Sequence, residues 1–263
     1  MTEKKYTLHR ISGQIETIYL AEYPDRMLLL DGGCRCDTRR IRNFVTKKLG
    51  KRMEDITLSF VSHVHPDHAG AAPILRKRYG IPIAAPRAID TWYVRLSGWL
   101  QHLIDYLFAW AVVIRMGRPW LRMWYPRFVR PDFPLEDGSY LPFFEDWKVL
   151  LTPGHTAHHA VLYNEDECTL YAGDLVLKAN DRWLLPVPIT MPAAQKESLR
   201  RLSTMNIKTM LLAHGDLQDE LPVGLFDSLM PGTIRRPPLT LRAVMPLMML
   251  PPDIRKNTTG GGS

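Results

Sequence analysis

Short runs of apolar or alternating residues, bounded mostly by Gly, Pro and Asp, occur along residues 6–86 and again along residues 147–216. Runs of this length and period predict β-strands with at least one buried face. The first group contains the runs YTLHRI, QIETIYLAEY, RMLLLD, ITLSFVS and IPIAAP, and the second contains WKVLLTPGH, HAVLYNEDECTLYAGD and IKTMLLAHGD.

Apolar residues at spacings of three and four predict helices beside these strands. The predicted helices cover residues 38–52, 69–79 and 193–202, and Gly50 and Gly80 mark two of their ends. Strand runs followed by a helix, twice over, favour an α/β (α+β) protein with two sheets, each covered by a helical layer.

Residues 88–135 lie between the two groups of strands and have a different character. The spacing predicts one helix over Trp99–Met116, about 27 Å long, whose second half is apolar on all faces. Between Arg87 and Arg130 there are seven Arg, two Asp and no Lys or Glu, and five of the seven Trp fall there too. Trp and Arg together suit a boundary between water and apolar matter. The helical stripe consists of Leu96, Leu100, Leu103, Leu107, Trp110 and Ile114.

The overall composition is that of a folded globular protein, with 46% apolar and 23% charged residues and a net charge of +7. This excludes disorder for most of the chain, and no uninterrupted apolar run reaches the roughly 18 residues of a membrane span. The N-terminus lacks the apolar core of a signal peptide, so we expect a cytoplasmic location. Three cysteines cannot form a full set of disulfides, which agrees with a reducing compartment, and we take Cys34 and Cys36 as free thiols.

Histidine and aspartate cluster where the predicted strands end. In HVHPDH, His63 and His65 are alternate residues of extended chain and therefore converge on one ion. A turn at Pro66 carries Asp67 and His68 to another side, where a second ion would sit. Imidazole and carboxylate together suit borderline divalent ions, chiefly Zn²⁺, with Mn²⁺ or Fe²⁺ as alternatives. Three further candidate ligands follow other strands, namely His155, Asp174 and His214.

The motifs HVHPDH, TPGHT, YAGD and AHGD, in that order, resemble those of the metallo-β-lactamase superfamily. The resemblance covers roughly Tyr6 to Asp219, apart from the segment around 88–135. It implies a four-layer αββα sandwich, here with a helical insert, and a site for two divalent metal ions at one edge of the two sheets. By that resemblance the first ion is held by His63, His65 and His155, the second by Asp67, His68 and His214, and Asp174 bridges both.

The remaining histidines do not fit this ligand set. We expect His9, His102, His158 and His159 not to bind metal. Because His158 and His159 lie close behind His155, one of them is a candidate for a contact with a ligand or with substrate. Asp31, at the end of the third strand, is either a turn residue or a supporting contact near the metals.

Two such ions share one water, lower its pKa toward neutrality and polarise the bond under attack. The catalytic roles then fall on Asp174, between the ions, and on Asp67, which can accept the proton. We predict a metal-dependent hydrolase in which a metal-bridging hydroxide cleaves an ester, thioester or lactone bond of a lipophilic substrate. A phosphodiesterase acting on a phospholipid-like or nucleotide substrate is the alternative, and a low-turnover metal-bound sensor or binding protein is another.

Two departures from subfamily patterns narrow the reaction. The diiron reductases of the superfamily have Glu where His65 stands, which disfavours redox chemistry. True β-lactamases of the family lack a bridging carboxylate at the position of Asp174, which disfavours antibiotic hydrolysis.

The 88–135 segment has three competing interpretations. It is a helical cap that packs on the sandwich or on a second subunit in a homodimer, or an interfacial element through which residues 96–130 contact the inner face of a membrane. In the third, it is a lid over an acyl pocket whose arginines contact an anionic headgroup or a CoA phosphate. The predicted partner is thus a small acyl or anionic lipophilic substrate. Nucleic acid is disfavoured, because a helix that is apolar on all faces does not suit it.

The predicted domain organisation is a metallo-β-lactamase-like domain over residues 1–225, interrupted by the insert at about 88–135, and a proline-rich extension over 226–263. Seven Pro fall between Pro222 and Pro252, so we expect no regular structure from Leu221 onwards. The apolar run Leu239–Leu250 within that extension is a candidate to dock on the insert or on lipid.

Overall fold

Two β-sheets form the centre of the computed structural model, which describes residues 5–234. The first sheet has six strands in chain order; its first three are antiparallel and its last four parallel. The strands are β1 (Thr7–Ser12), β2 (Thr17–Glu22), β3 (Met27–Leu30), β4 (Ile56–Phe60), β5 (Ile83–Pro86) and β6 (Phe133–Leu135).

The second sheet has five strands in the order β13-β10-β9-β8-β7. Only the pair β10 and β13 is parallel. A separate hairpin, β11 with β12, lies outside both sheets. The strands are β7 (Tyr140–Leu141), β8 (Phe144–Leu151), β9 (Ala160–Asn164), β10 (Thr169–Tyr171), β11 (Leu177–Ala179), β12 (Arg182–Leu184) and β13 (Thr209–Leu211).

Six α-helices accompany the sheets within the described residues, with short 3-10 turns at Arg35–Asp37, Met53–Asp55, Ile89–Thr91 and Met230–Ile234. The first helix continues into a π-helical turn, Phe44–Lys48. The helices are α1 (Thr38–Asn43), α2 (Pro66–Ala69), α3 (Ala72–Tyr79), α4 (Arg95–Arg115), α5 (Pro192–Ser203) and α6 (Leu225–Leu229). Among the described residues, no helix has the length and apolar character needed to cross a bilayer.

The apolar core divides into layers that follow from strand alternation. Alternate residues of both sheets face each other, and Tyr19, Phe60 and Trp147 are fully buried between them. The opposite face of the first sheet packs against α1 and α3, and that of the second against α5 and α6. The order helix, sheet, sheet, helix is the αββα arrangement, so the predicted fold class is confirmed.

The insert helix and the C-terminal region differ from the prediction in ways that have a physical cause. Helix α4 begins at Arg95 rather than Trp99, because Gly98 lets its first turn lie directly on Tyr93; a Cβ at Gly98 would be 2.2 Å from the carbonyl carbon of Tyr93. The prediction of no regular structure from Leu221 onwards is wrong for residues 225–234, where Leu225 and Phe226 are buried against α5. Residues 235–263, including the run Leu239–Leu250, lie outside the described residues.

Candidate metal centre

The HVHPDH segment changes from extended chain to helix at His65. His65 has extended backbone angles at the N-cap of α2, and Pro66 occupies the first helical position, where its missing N–H leaves no donor unsatisfied. The single turn of α2 then carries Asp67 and His68 away from His63 and His65. The predicted division of this motif into two sides therefore has a local cause.

Three histidines and one carboxylate form the first group of potential ligands. His65 Nδ1 is 3.0 Å from His63 Nε2 and 3.0 Å from His155 Nε2. Asp174 Oδ2 is 3.3 Å from His155 Nε2 and 3.7 Å from His63 Nε2. Ligand atoms arranged tetrahedrally around zinc at normal bond lengths are about 3.3 Å apart. The spacing of these four atoms fits one tetrahedrally coordinated ion.

A second group lies on the other side of Asp174. Asp67 Oδ2 is 3.4 Å from His214 Nε2 and 3.9 Å from His68 Nε2. The other oxygen of Asp174, Oδ1, is 3.1 Å from His214 Nε2 and 3.2 Å from His68 Nε2. Asp174 thus presents one oxygen to each group. Its Oδ1 and the His68 Nε2 are buried and form no hydrogen bond, as expected of atoms whose partner is an ion.

The far side of each imidazole is held by the protein. His155 Nδ1 is 2.7 Å from the Pro188 carbonyl oxygen and His63 Nδ1 is 3.0 Å from Ser62 Oγ. The Asp31 carboxylate accepts the hydroxyl of Ser62 and lies 2.9 Å from His68 Nδ1. Such contacts set the tautomer and the direction of a metal-binding imidazole. Of the two roles expected for Asp31, this geometry agrees with the supporting contact near the centre.

His158 and His159 are buried behind the centre, and neither belongs to a ligand group within the described residues. His159 Nε2 accepts the backbone N–H of Asp174 at 3.0 Å, so its Nδ1–H donates to Thr152 Oγ1 at 2.8 Å. His158 Nε2 accepts the N–H of Val64 at 3.2 Å. Burial lowers the pKa of each ring to about 3. Both are therefore neutral rings that support the loops carrying the ligands.

The other two histidines also lie outside the groups. His9 is 2.7 Å from Glu22 at the edge of the first sheet. His102 packs among aromatic rings, including Tyr93 and Trp124, and burial lowers its pKa to about 4.

Asp105, on the buried side of α4, reaches the centre from the insert. Its Oδ2 lies 3.6 Å from His65 Nε2, the ring nitrogen that faces away from the ligand group, and it accepts the hydroxyl of Tyr93 at 2.8 Å. Tyr125 links the same region to the motif by donating to the Val64 carbonyl oxygen at 2.6 Å. Burial raises the pKa of Asp105 to about 7. Asp105 was not predicted as part of the site; in the sequence it is one of the two Asp between Arg87 and Arg130.

Glu16 is a second residue that the sequence analysis missed. It is buried, and its Oε2 is 3.0 Å from His68 Nδ1, on the same side as Asp31. Burial raises the pKa of this carboxyl well above its usual range. The available signal was a Glu within an otherwise apolar strand pattern, since such a residue is buried only with a partner.

The charges divide unevenly between the two groups. Burial and neighbouring histidines lower the pKa of His63 and His65 well below its usual value, which suits neutral ligands. Burial opposes protonation of His214 too, but Asp174 and Asp67 outweigh it and raise the pKa of His214 to about 10. Metal ions compete with such protons for the imidazole nitrogen. An ion bound by the second group would therefore have to displace this proton.

The cysteines are free thiols, as expected. Cys34, Cys36 and Asp37 lie close enough to form a third potential metal-binding group. However, the Asp37 carboxylate already accepts the N–H groups of Gln14 and Cys34 and pairs with Arg40. This leaves two thiols, which alone do not make a site.

Comparison with known proteins agrees with the fold and identifies the family. The metallo-beta-lactamase superfamily model matches residues 12–214. The probable metallo-hydrolase YflN of Bacillus subtilis (strain 168) is 24% identical over 239 residues, which is 79% of this chain and 83% of that protein. Metallo-beta-lactamase family protein TTHA1429 of Thermus thermophilus has a TM-score of 0.62 and 22% identity, covering 87% of this chain and 79% of its own. TTHA1623, solved in a di-iron-bound form, has a TM-score of 0.56 and 22% identity, covering 83% of this chain and 96% of its own.

The fold and the clustered His and Asp side chains define a metallo-hydrolase. The chain belongs to the metallo-beta-lactamase superfamily, and the predicted family and enzyme class are confirmed. Members of this superfamily bind divalent metal ions, and the His and Asp cluster is the candidate site for them here. The structure brings all seven predicted ligands together. The role of each as a ligand, and the predicted domain boundaries, stay predictions.

Proposed function

We propose that the protein is a dinuclear hydrolase that cleaves an ester, thioester or lactone bond of a lipophilic substrate, with Zn²⁺ as the favoured ion. When bound, the two ions supply an acidified water and a Lewis acid for the bond under attack. The observation that carries this proposal is Asp174, whose two oxygens face different ligand groups at 3.1–3.7 Å. Mn²⁺ and Fe²⁺ suit the same donors, and a di-iron form is known for the neighbour TTHA1623.

The chain's own residues have separate roles in this proposal. His63, His65 and His155 would hold one ion, and Asp67, His68 and His214 would hold the other. Asp174 would contribute one carboxylate oxygen to each group. Asp67 is the candidate proton acceptor. Burial opposes its ionisation, but His68 and His214 outweigh burial and lower the pKa of Asp67 to about 2, so its side chain is ionised.

The exposed side of α4 supports the lipophilic part of the proposal. Between Arg95 and Arg115 the only charged residue is Asp105, which faces inward, so the outward face is apolar along nearly the whole helix. Its side chains include Leu96 and Ile114, which are 78% and 64% exposed. An apolar face of this size with arginine at both ends fits the headgroup boundary of a membrane, where α4 would lie flat. Peripheral contact with the inner face of a membrane belongs to this proposal.

Hydrolysis of two substrate sets tests the reaction. One set is acyl esters, thioesters and lactones of increasing chain length, and the other is aryl phosphodiesters, each with zinc- or manganese-loaded protein with and without chelator. We expect chelator-sensitive acyl cleavage that rises with chain length and is lost in His65→Ala. His9→Ala, which changes a histidine outside the centre, is the matched control and should keep full activity.

The other outcomes separate the alternatives. Cleavage of phosphodiesters alone would replace the acyl reaction by a phosphodiesterase. Lack of turnover on both sets by metal-loaded protein would favour a sensor or binding protein. The lipid contact is tested apart from turnover: cosedimentation with vesicles supports it, whereas a dimer that dissociates in Leu107→Glu without vesicle binding would assign the apolar face of α4 to a second copy of this chain.

A further inference from the structure

A cleft of about 530 Å³ lies between residues 35–43, helix α3 and the part of the insert that follows α4. Arginine dominates its lining, which contains no Asp or Glu and none of the seven predicted metal ligands. The site is therefore separate from the metal centre. The arginines that line it are Arg35, Arg39, Arg40, Arg78 and Arg122.

Most of this positive charge is not neutralised by the protein. Arg40 pairs with Asp37 and donates to Gln14 Oε1 at 2.8 Å. Within residues 5–234, by contrast, neither Arg78 nor Arg122 has an acidic partner or a side-chain hydrogen bond, and the same holds for Arg39. Burial, followed by the like charges of Arg122 and Arg78, lowers the pKa of Arg35. Like charges held together in a concave surface favour an anion between them.

The arginines reach the cleft from different parts of the chain. Arg35 donates from Nη1 to the Trp124 carbonyl oxygen at 3.0 Å, which joins the first helical layer to the insert. Arg78 extends from α3, and Arg122 from the segment after α4. Three separate parts of the chain thus converge on one concavity. A converging set of this kind differs from a run of arginines on one exposed helix face, which would only repel one another in solvent.

Phosphate is the anion that this arrangement suits best. Guanidinium groups bind phosphate oxygens in a bidentate manner, and a phosphate monoester offers three oxygens and nearly two charges to several arginines at once. Thr38 and Asn43 add polar groups to the lining, whereas Ile74 and Leu121 make one side apolar. We propose that this cleft binds the phosphate group of a ligand, which is either the headgroup of an anionic lipid or a soluble phosphate ester.

The insert indicates how binding of a lipid headgroup would differ from binding of a soluble phosphate ester. Leu121 and Arg122 follow Trp120, which is 73% exposed and stacks on Trp110 of α4 at 3.6 Å between ring centroids. Two cleft residues therefore directly follow an exposed tryptophan of the insert. A lipid headgroup would use both surfaces together, whereas a soluble ester would use the cleft alone.

The experiment compares two double variants of the full chain with the same change in charge. Arg78→Gln with Arg122→Gln removes two cleft arginines, and Arg182→Gln with Arg200→Gln removes two exposed arginines elsewhere. The probes are inorganic phosphate and glycerol 3-phosphate by calorimetry, and phosphatidylcholine vesicles with and without phosphatidic acid by cosedimentation. From the typical contribution of an arginine at an anionic surface, we expect the cleft variant to lose about 30-fold in affinity. The control variant should lose less than about threefold.

Each result has a definite meaning. Selective loss with phosphatidic acid vesicles identifies a lipid headgroup, and selective loss with the small probes identifies a soluble ester. Equal losses in both variants, or no binding of any probe by the parent protein, would overturn the proposal. Because neither variant touches the metal centre, hydrolysis of a small substrate and the circular dichroism spectrum should stay unchanged. Failure of this proposal is therefore distinguishable from failure of the proposed hydrolase activity.

Discussion

Asp105→Asn tests whether the insert controls the metal centre. Asparagine has nearly the same shape, and its amide oxygen can still accept the Tyr93 hydroxyl that now reaches Asp105 at 2.8 Å. Helix α4 should therefore stay in place. What the substitution removes is the negative charge 3.6 Å from His65 Nε2. An imidazole that binds an ion through Nδ1 carries its proton on Nε2, so the carboxylate both orients the ring and makes it a stronger ligand.

The expected effect on metal binding follows from this contact. Loss of a group that supports a metal-binding histidine typically weakens metal affinity by about 10- to 100-fold. If the 3.6 Å separation persists when metal is bound, we expect a loss of affinity of about 10-fold. If His65 and Asp105 then approach to hydrogen-bond distance, we expect a loss of about 100-fold.

Although Asp105→Asn should weaken metal binding, it should make the metal-free protein more stable at neutral and alkaline pH. The pKa of Asp105 is raised from 3.8 to about 7, so the folded protein favours the protonated acid. The stability that it contributes is complete below about pH 4 and is lost as the pH rises through about 7. At about 1.4 kcal/mol per tenfold change, the full loss is about 4 kcal/mol. With chelator present, the free energy of unfolding of Asp105→Asn relative to the parent should rise by about 2 kcal/mol between about pH 5.5 and about pH 8.

Two measurements follow these effects separately. Urea unfolding in chelator gives the stability of each protein at both pH values, and zinc titration against a chromophoric competitor gives the metal affinity. Asp90→Asn is the control, because Asp90 also lies in the insert but accepts the N–H groups of Val129 and Arg130 rather than facing the centre. It should leave zinc affinity unchanged.

Either of two results would refute the reasoning. Unchanged zinc affinity in Asp105→Asn would mean that the carboxylate does not orient His65. A stability difference that stays constant with pH would mean that Asp105 is already ionised in the folded protein. Weaker zinc binding by a more stable variant cannot be explained by misfolding, so the predicted combination is specific to this contact.

Three further outcomes are expected. His65→Ala should abolish hydrolysis but keep the circular dichroism spectrum and a cooperative thermal transition; activity that survives would contradict the ligand assignment. Gly98→Ala places a methyl group 2.2 Å from the Tyr93 carbonyl carbon, so it should destabilise the protein by about 1–3 kcal/mol and weaken zinc binding as α4 shifts. Zinc affinity of the parent should fall as the pH drops from about 8 to about 6, by about tenfold per pH unit for each proton that zinc displaces. Burial opposes protonation of His214, but Asp174 and Asp67 outweigh it and raise the pKa of His214, so this proton must leave before zinc binds. Calorimetry in two buffers would show no proton release if this reasoning is wrong.

The clustering of the seven candidate ligands could be predicted from the sequence because its signals are local. Each candidate follows an apolar strand, and the ends of neighbouring strands meet at one edge of a sheet. His155 and Asp174 therefore come together without any detailed knowledge of side-chain packing. Each oxygen of Asp174 faces a different ligand group because of how the carboxylate is oriented, and the periodicity of the sequence cannot show this orientation. Only the resemblance to the superfamily indicated a bridging role in advance.

The residues that support the ligands were not accessible in this way. Glu16 and Asp105 approach their histidines from distant parts of the chain, and their contacts depend on how β2 and α4 pack around the centre. In the sequence, each of these residues is marked only by being a carboxylate within an otherwise apolar pattern. Such a residue is buried only where a partner compensates for its desolvation, but the sequence does not name the partner.

Helix α4 shows what periodicity leaves open and why it matters. The stripe through Leu103 and Trp110 predicts a helix, yet that stripe is only partly buried, and Leu107 and Ile114 on it are exposed. The buried side is instead the one that carries His102, Asp105 and Ala109. Because one rigid helix presents Asp105 to His65 on one side and an apolar surface on the other, a displacement of α4 changes both. The insert is therefore structurally joined to the metal centre, rather than appended to a sandwich that completes its site alone.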